Sequence, residues 1–197
     1  MKTTLNTFTD TLRIVREFLE HDLGLDYVSA QRAITDASLN AYRMAEEEQD
    51  AIHPSTGDYS YVQSTFMSSL DGALAYHFRG PLSDGEIHEI AQATERHVEA
   101  LLAGNEAPSH RIRFTVIVPA EVATPTYVDC HDGGGYSFDQ TTTNKILNDL
   151  GLREKPLLDF NNVGGDYTTL CGYDNLLHIR FNRFSDSESF AQRLSYL

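Results

Sequence analysis

The chain has 197 residues, 41% hydrophobic and 22% charged, with a formal net charge of −14 and a pI near 4.8. That is apolar enough to bury a core and too apolar for a compositionally disordered chain. The negative charge excludes a protein whose affinity for nucleic acid rests on neutralising phosphates, and it disfavours docking on anionic lipid.

Leu5, Phe8, Leu12, Val15 and Leu19 fall at helical spacing, with Gly24 as a stop. Asp26 is placed to cap a second helix with the stripe Ala30, Ile34, Ala37, Ala41 and Ala45. Side chains this small let a neighbouring helix approach closely. That helix ends in Glu46, Glu47 and Glu48, where carboxylates oppose the negative end of the helix dipole. A third helix runs from about Tyr59 to Phe78, with Val62, Phe66, Leu70 and Leu74 as its stripe. Ser83-Asp84-Gly85-Glu86 has the pattern of a capping box, and Leu82 with Ile87 fits a hydrophobic staple. The helix that follows carries Ile87, Ile90, Ala91, Thr94, Val98, Leu101 and Leu102, and stops at Gly104.

The period then changes to two. Ile112, Phe114, Val116 and Val118 alternate with Arg111, Arg113, Thr115 and Ile117. A second strand is expected over Thr126–Cys130, then a glycine-rich loop and a short crossing helix over Thr141–Leu150. Tyr167–Cys171 and Leu176–Phe184 have the pattern of a hairpin. Ser185–Glu188 is placed as a second capping box before a short C-terminal helix. The expected class is α+β: about four amphipathic helices, then a mainly antiparallel sheet of four to five strands with one crossing helix, then a C-terminal helix. Residues 1–105 form the acidic helical region and 106–197 the α+β region, as two parts or as one compact domain. The first part holds 17 Asp and Glu against 7 Lys and Arg, so most of the excess negative charge is helical.

Four groups of residues could carry function. The first is the acidic helical surface, with Glu46, Glu47, Glu48, Glu95 and Glu99 as candidates for binding a basic partner. DNA presents about one negative charge per 1.7 Å of axis, and a rigid row of carboxylates can imitate it. An ordinary soluble exterior has the same composition. The second is a polar sheet face bearing Arg111, Arg113, His178 and Arg180, whose guanidinium forks suit carboxylate or phosphate. A plain solvated sheet face is the competing explanation.

The third is the loop from Asp129 to Tyr136, where Asp129, His131 and Asp132 offer oxygen and nitrogen ligands to a divalent metal. It lacks the spacing of a dinucleotide or P-loop motif, and three consecutive glycines are first of all a turn signal. The fourth is Cys130 as a nucleophile with His131 or His178 as its base. His131 is its neighbour on an extended segment and points to the opposite face, so it is a poor base. His88 and His97 are about 180° apart on their helix and are expected to be solvated or half-buried.

Two cysteines do not make a disulfide framework, and the amphipathic pattern after Met1-Lys2-Thr3-Thr4, in place of a roughly 7–15-residue apolar run, leads to the expectation of no signal peptide. A cytoplasmic, non-enzymatic interaction protein is the expectation, without a cofactor. It would bind a basic protein, in one form as a phage or mobile-element inhibitor or adaptor of a nucleic-acid-handling complex. The alternative is a metal-dependent enzyme or phosphate-binding domain built on the glycine-rich loop and the sheet-face arginines. A homodimer contact through the alanine-rich helix or a free strand edge is compatible with both.

Overall fold

Helix starts are set by local chemistry in this computed structural model, which describes residues 3–48, 57–110, 112–123, 126–128, 135–137, 167–171 and 176–196. Thr4 caps α1 (Leu5–Glu17) by accepting from the Thr7 backbone N–H, and Asp26 caps α2 (Tyr27–Glu47) by accepting from that of Ser29. Hydrogen bonding to Ser29, above all to its backbone N–H, lowers the Asp26 pKa, and Arg32 adds a smaller pull in the same direction. At the start of α3 (Ser60–His77) the N-cap residue Tyr59 makes no side-chain bond, and Asp58 Oδ1 accepts from the Ser60 backbone N–H instead. Ser83 and Glu86 form the full reciprocal capping box at the start of α4 (Asp84–Leu102).

The chain divides into two compact units, Met1–Ile112 and Arg113–Leu197. In the first, α2 packs on α1 and α3, and α4 packs on α1 and α3, so α2 and α4 lie across the bundle from each other. The α2–α3 seam is the most extensive. Its α2 side is the stripe Ala30, Ala33, Ala37, Ala41 and Ala45, all buried. The α3 residues Val62, Phe66, Leu70 and Leu74 are fully buried. The bonds Asn40–Ser69 and Asp36–His77 show that α2 and α3 run antiparallel. Phe8 is the hub of this core. Its ring meets Phe66 edge-on at 5.8 Å and Tyr42 at 6.0 Å, and stacks on Tyr59 at 6.2 Å.

α1 does not run to Gly24 as a uniform helix. Phe18–Asp22 is a π-helical turn in which the Leu23 N–H donates to the Phe18 carbonyl. The widened turn brings Leu23, and not Asp22, under Phe18, so both apolar side chains are buried. The Phe18 ring lies 4.5 Å from that of His97 and 5.6 Å from that of His110. His97 is therefore buried, at 8% exposure, contrary to the expectation of a solvated or half-buried ring.

In the second unit, β1 (Phe114–Val118) pairs antiparallel with β5 (Leu177–Phe181), and β5 pairs antiparallel with β4 (Tyr167–Cys171). β2 (Thr126–Val128) and β3 (Gly135–Ser137) form a separate two-stranded ladder. This corrects the expected fold. Among the described residues there is no sheet of four to five strands; β1 and β5 are the antiparallel pair described with their side chains, and β2–β3 do not join them. The expected crossing helix, Thr141–Leu150, lies outside the described residues. The C-terminal helix, α5 (Phe184–Leu194), starts after Arg183 without a side-chain cap. Ser187 Oγ donates back to the Phe184 carbonyl, so Ser185–Glu188 lies inside the helix and is not its cap. Val118, Ala123, Leu177, Ile179, Phe181 and Phe190 make the core of this unit.

Candidate functional site

The carboxylates singled out in the sequence fall into two groups. Glu95 and Glu99 lie on the exposed side of α4, opposite the buried Ile90, Thr94 and Val98. One helical turn apart, they repel each other. Among the described residues, neither side chain has a hydrogen bond or an ion pair. Glu46, Glu47 and Glu48 are exposed at the end of α2. Arg43 lies 3.9 Å from Glu47. Partial burial and the hydrogen bond to the Glu48 carboxylate together raise the Tyr61 pKa. Residues 78–83 turn the chain from α3 into α4, and Asp71 near the end of α3 reaches His88 near the start of α4, so α4 like α2 runs antiparallel to α3 and the two groups share one end of the bundle. They occupy opposite corners of it, so they make two acidic patches and no single continuous row.

The sheet-face residues are arranged by the β1–β5 register. Thr115 pairs with Arg180 and Ile117 with His178, and directly paired residues share a face. Arg180 is exposed, His178 is half-buried, and Ile117 is 47% exposed. Arg113 precedes β1 and is half-buried, while Arg111 lies outside the described residues. The nearest β1 neighbours of Arg180 and His178 are thus a threonine and an isoleucine. Asp129, His131 and Asp132 also lie outside the described residues, with Cys130. Among the described residues no cluster of three or more metal-ligating side chains occurs.

Two features escaped the sequence reading. One is a pair of His–Asp ties between successive helices: His77 Nε2 to Asp36 Oδ2 at 2.7 Å, and His88 Nδ1 to Asp71 Oδ2 at 3.2 Å. The other is the outward face of α2, where Val28 is 50% and Leu39 62% exposed. Tyr27, Val28, Gln31, Arg32, Thr35 and Asp36 line a shallow open groove on that helix. A helical wheel drawn for the buried stripe would have shown it, because the apolar residues left over at positions 28 and 39 fall on the opposite side. The alanine stripe itself is occupied by α3 and is not available to a second copy.

No helix among the described residues is long and apolar enough to cross a membrane. The chain matches no known family model, no curated protein and no solved structure.

Proposed function

We propose that this is a non-enzymatic interaction protein that binds a basic protein surface through the carboxylates of its helical unit, of the kind found on nucleic-acid-handling proteins. The observation that carries the proposal is the Glu95–Glu99 pair. Two like charges one turn apart on an exposed helix face destabilise that helix slightly, and among the described residues neither carboxylate forms an ion pair, Arg96 between them supplying at most a partial, solvent-screened offset. A partner's arginines or lysines would remove the repulsion on binding. They would also benefit from long-range attraction to a chain of net charge −14.

The test is binding to a panel of purified basic DNA- and RNA-binding proteins at low ionic strength, with duplex DNA as competitor. Binding that weakens steeply with salt, is displaced by DNA and is lost in Glu95→Lys/Glu99→Lys is the expected result. A panel in which none binds, or binding unchanged by the double substitution, overturns the proposal.

A further inference from the structure

The face of α2 opposite its alanine stripe carries Val28, Arg32, Thr35 and Leu39. At 3.6 residues per turn these four form one line along the helix. All four are exposed. The intervals between them are symmetric, so the line reads nearly the same in both directions: apolar, polar, polar, apolar. A surface of this kind is self-complementary, as a two-fold contact requires.

We infer that the outward face of α2 is a contact between two copies of this chain, packed antiparallel about a two-fold axis near Ala33 and Ile34. Val28 then meets Leu39 of the second copy, and Arg32 lies over Thr35 of the second copy. One position further along, Asp36 of the second copy comes within reach of the Arg32 guanidinium. Asp36 has the capacity for that bond. Its Oδ2 takes the His77 bond, and Oδ1 has no partner among the described residues. The symmetry makes every contact occur twice, so each dimer holds two Arg–Asp pairs and two apolar pairs.

Charge decides in favour of a second copy as the occupant. Arg32 and Asp36 lie one turn apart on this side of the helix, and Arg43 lies 3.9 Å from Glu47, so the face carries both signs and offers neither a purely basic nor a purely acidic partner a uniform target. A copy of the same face supplies the matching carboxylate at the matching position. One helix pair buries less than the roughly 1,200 Å² of a stable interface, so the association is weak and concentration-dependent.

Sedimentation equilibrium over a wide concentration range tests this. The wild-type chain should approach dimer mass as concentration rises. Arg32→Asp and Asp36→Arg should each weaken dimerisation about tenfold or more, because each places like charges opposite one another twice. Mixing the two variants should restore the dimer, since the mixed pair again sets Asp against Arg at both positions. Leu39→Lys, at an exposed site, should weaken association without unfolding the helix, as circular dichroism would report. A wild-type chain that stays monomeric overturns the inference. So does a dimer that tolerates Arg32→Asp or Leu39→Lys, or a mixture that associates no better than its components.

Discussion

His77 Nε2 lies 2.7 Å from Asp36 Oδ2, and the bond joins α3 to α2 one turn from the Asn40–Ser69 bond along α2 and about two turns from it along α3. A carboxylate only accepts, so His77 donates through Nε2. The His77 side chain is 14% exposed, whereas His88, in the matching bond to Asp71, is 61% exposed. Burial should therefore separate two ties that look alike in composition. His77→Ala is expected to lower stability by about 1 kcal/mol. His88→Ala should cost no more than about 0.5 kcal/mol, as for other exposed pairs. Urea unfolding at neutral pH measures both, and equal losses would contradict the role given to burial.

The aromatic hub gives the largest expected effect. Phe8 is 1% exposed and touches three rings, from α2, from α3 and from the residue preceding α3. Phe8→Ala removes the ring and leaves a cavity that those neighbours cannot all close. The expected loss is about 3–5 kcal/mol, visible in the unfolding midpoint. Leu5→Ala, three residues earlier and 51% exposed, should change stability by about 0.5 kcal/mol or less.

Much of the helical unit was legible in the sequence because its signals are local. The stripe Val62, Phe66, Leu70, Leu74 is buried as its period requires, and the Ser83–Glu86 box involves residues three apart. What could not be read depends on distant residues. The π turn at Phe18 is matched to His97, on a helix much later in the chain. Strand alternation indicates which side chains share a face, but not which strand lies alongside. Phe114 pairs with Phe181, and the β2–β3 ladder stays apart, so a count of strand-like segments overstated the sheet. The candidate site suffered the same limit. Residues Glu46–Glu48 and Glu95 with Glu99 look like one acidic set in a list, and only the bundle topology separates them into two corners.

The Asp26 cap makes a pH-dependent prediction. Its folded-state pKa is below the ordinary value of 3.8, because its carboxylate accepts from Ser29. A lowered pKa means that the ionised form is the one stabilised by folding. That contribution is complete above 3.8 and is lost as pH falls through the folded-state value. Asp26→Ala should cost about 1 kcal/mol at neutral pH, as for other N-caps. The difference between the wild-type chain and the variant should shrink in acid below 3.8. A difference that stays constant down to that range would mean the carboxylate's charge is not what stabilises the helix start.

The Glu95–Glu99 pair separates function from stability most sharply. Glu99→Lys converts a repulsive pair one turn apart into an attractive one, with the acid on the N-terminal side, the better orientation. It also places a cation near the C-terminal end of α4, where the helix dipole favours it. Lys at 99 also stands three residues after Arg96, a like-charge pair that offsets part of the gain, so the variant should be more stable than the wild-type chain by no more than about 0.5 kcal/mol. If the carboxylates serve a basic partner, the same substitution should weaken binding and flatten its salt dependence. A gain in stability with unchanged binding would count against a partner at this pair, and binding still unchanged in Glu95→Lys/Glu99→Lys would overturn the proposed function. A loss of stability would mean that Glu99 is held by a favourable contact, and the repulsion would no longer argue for an external partner.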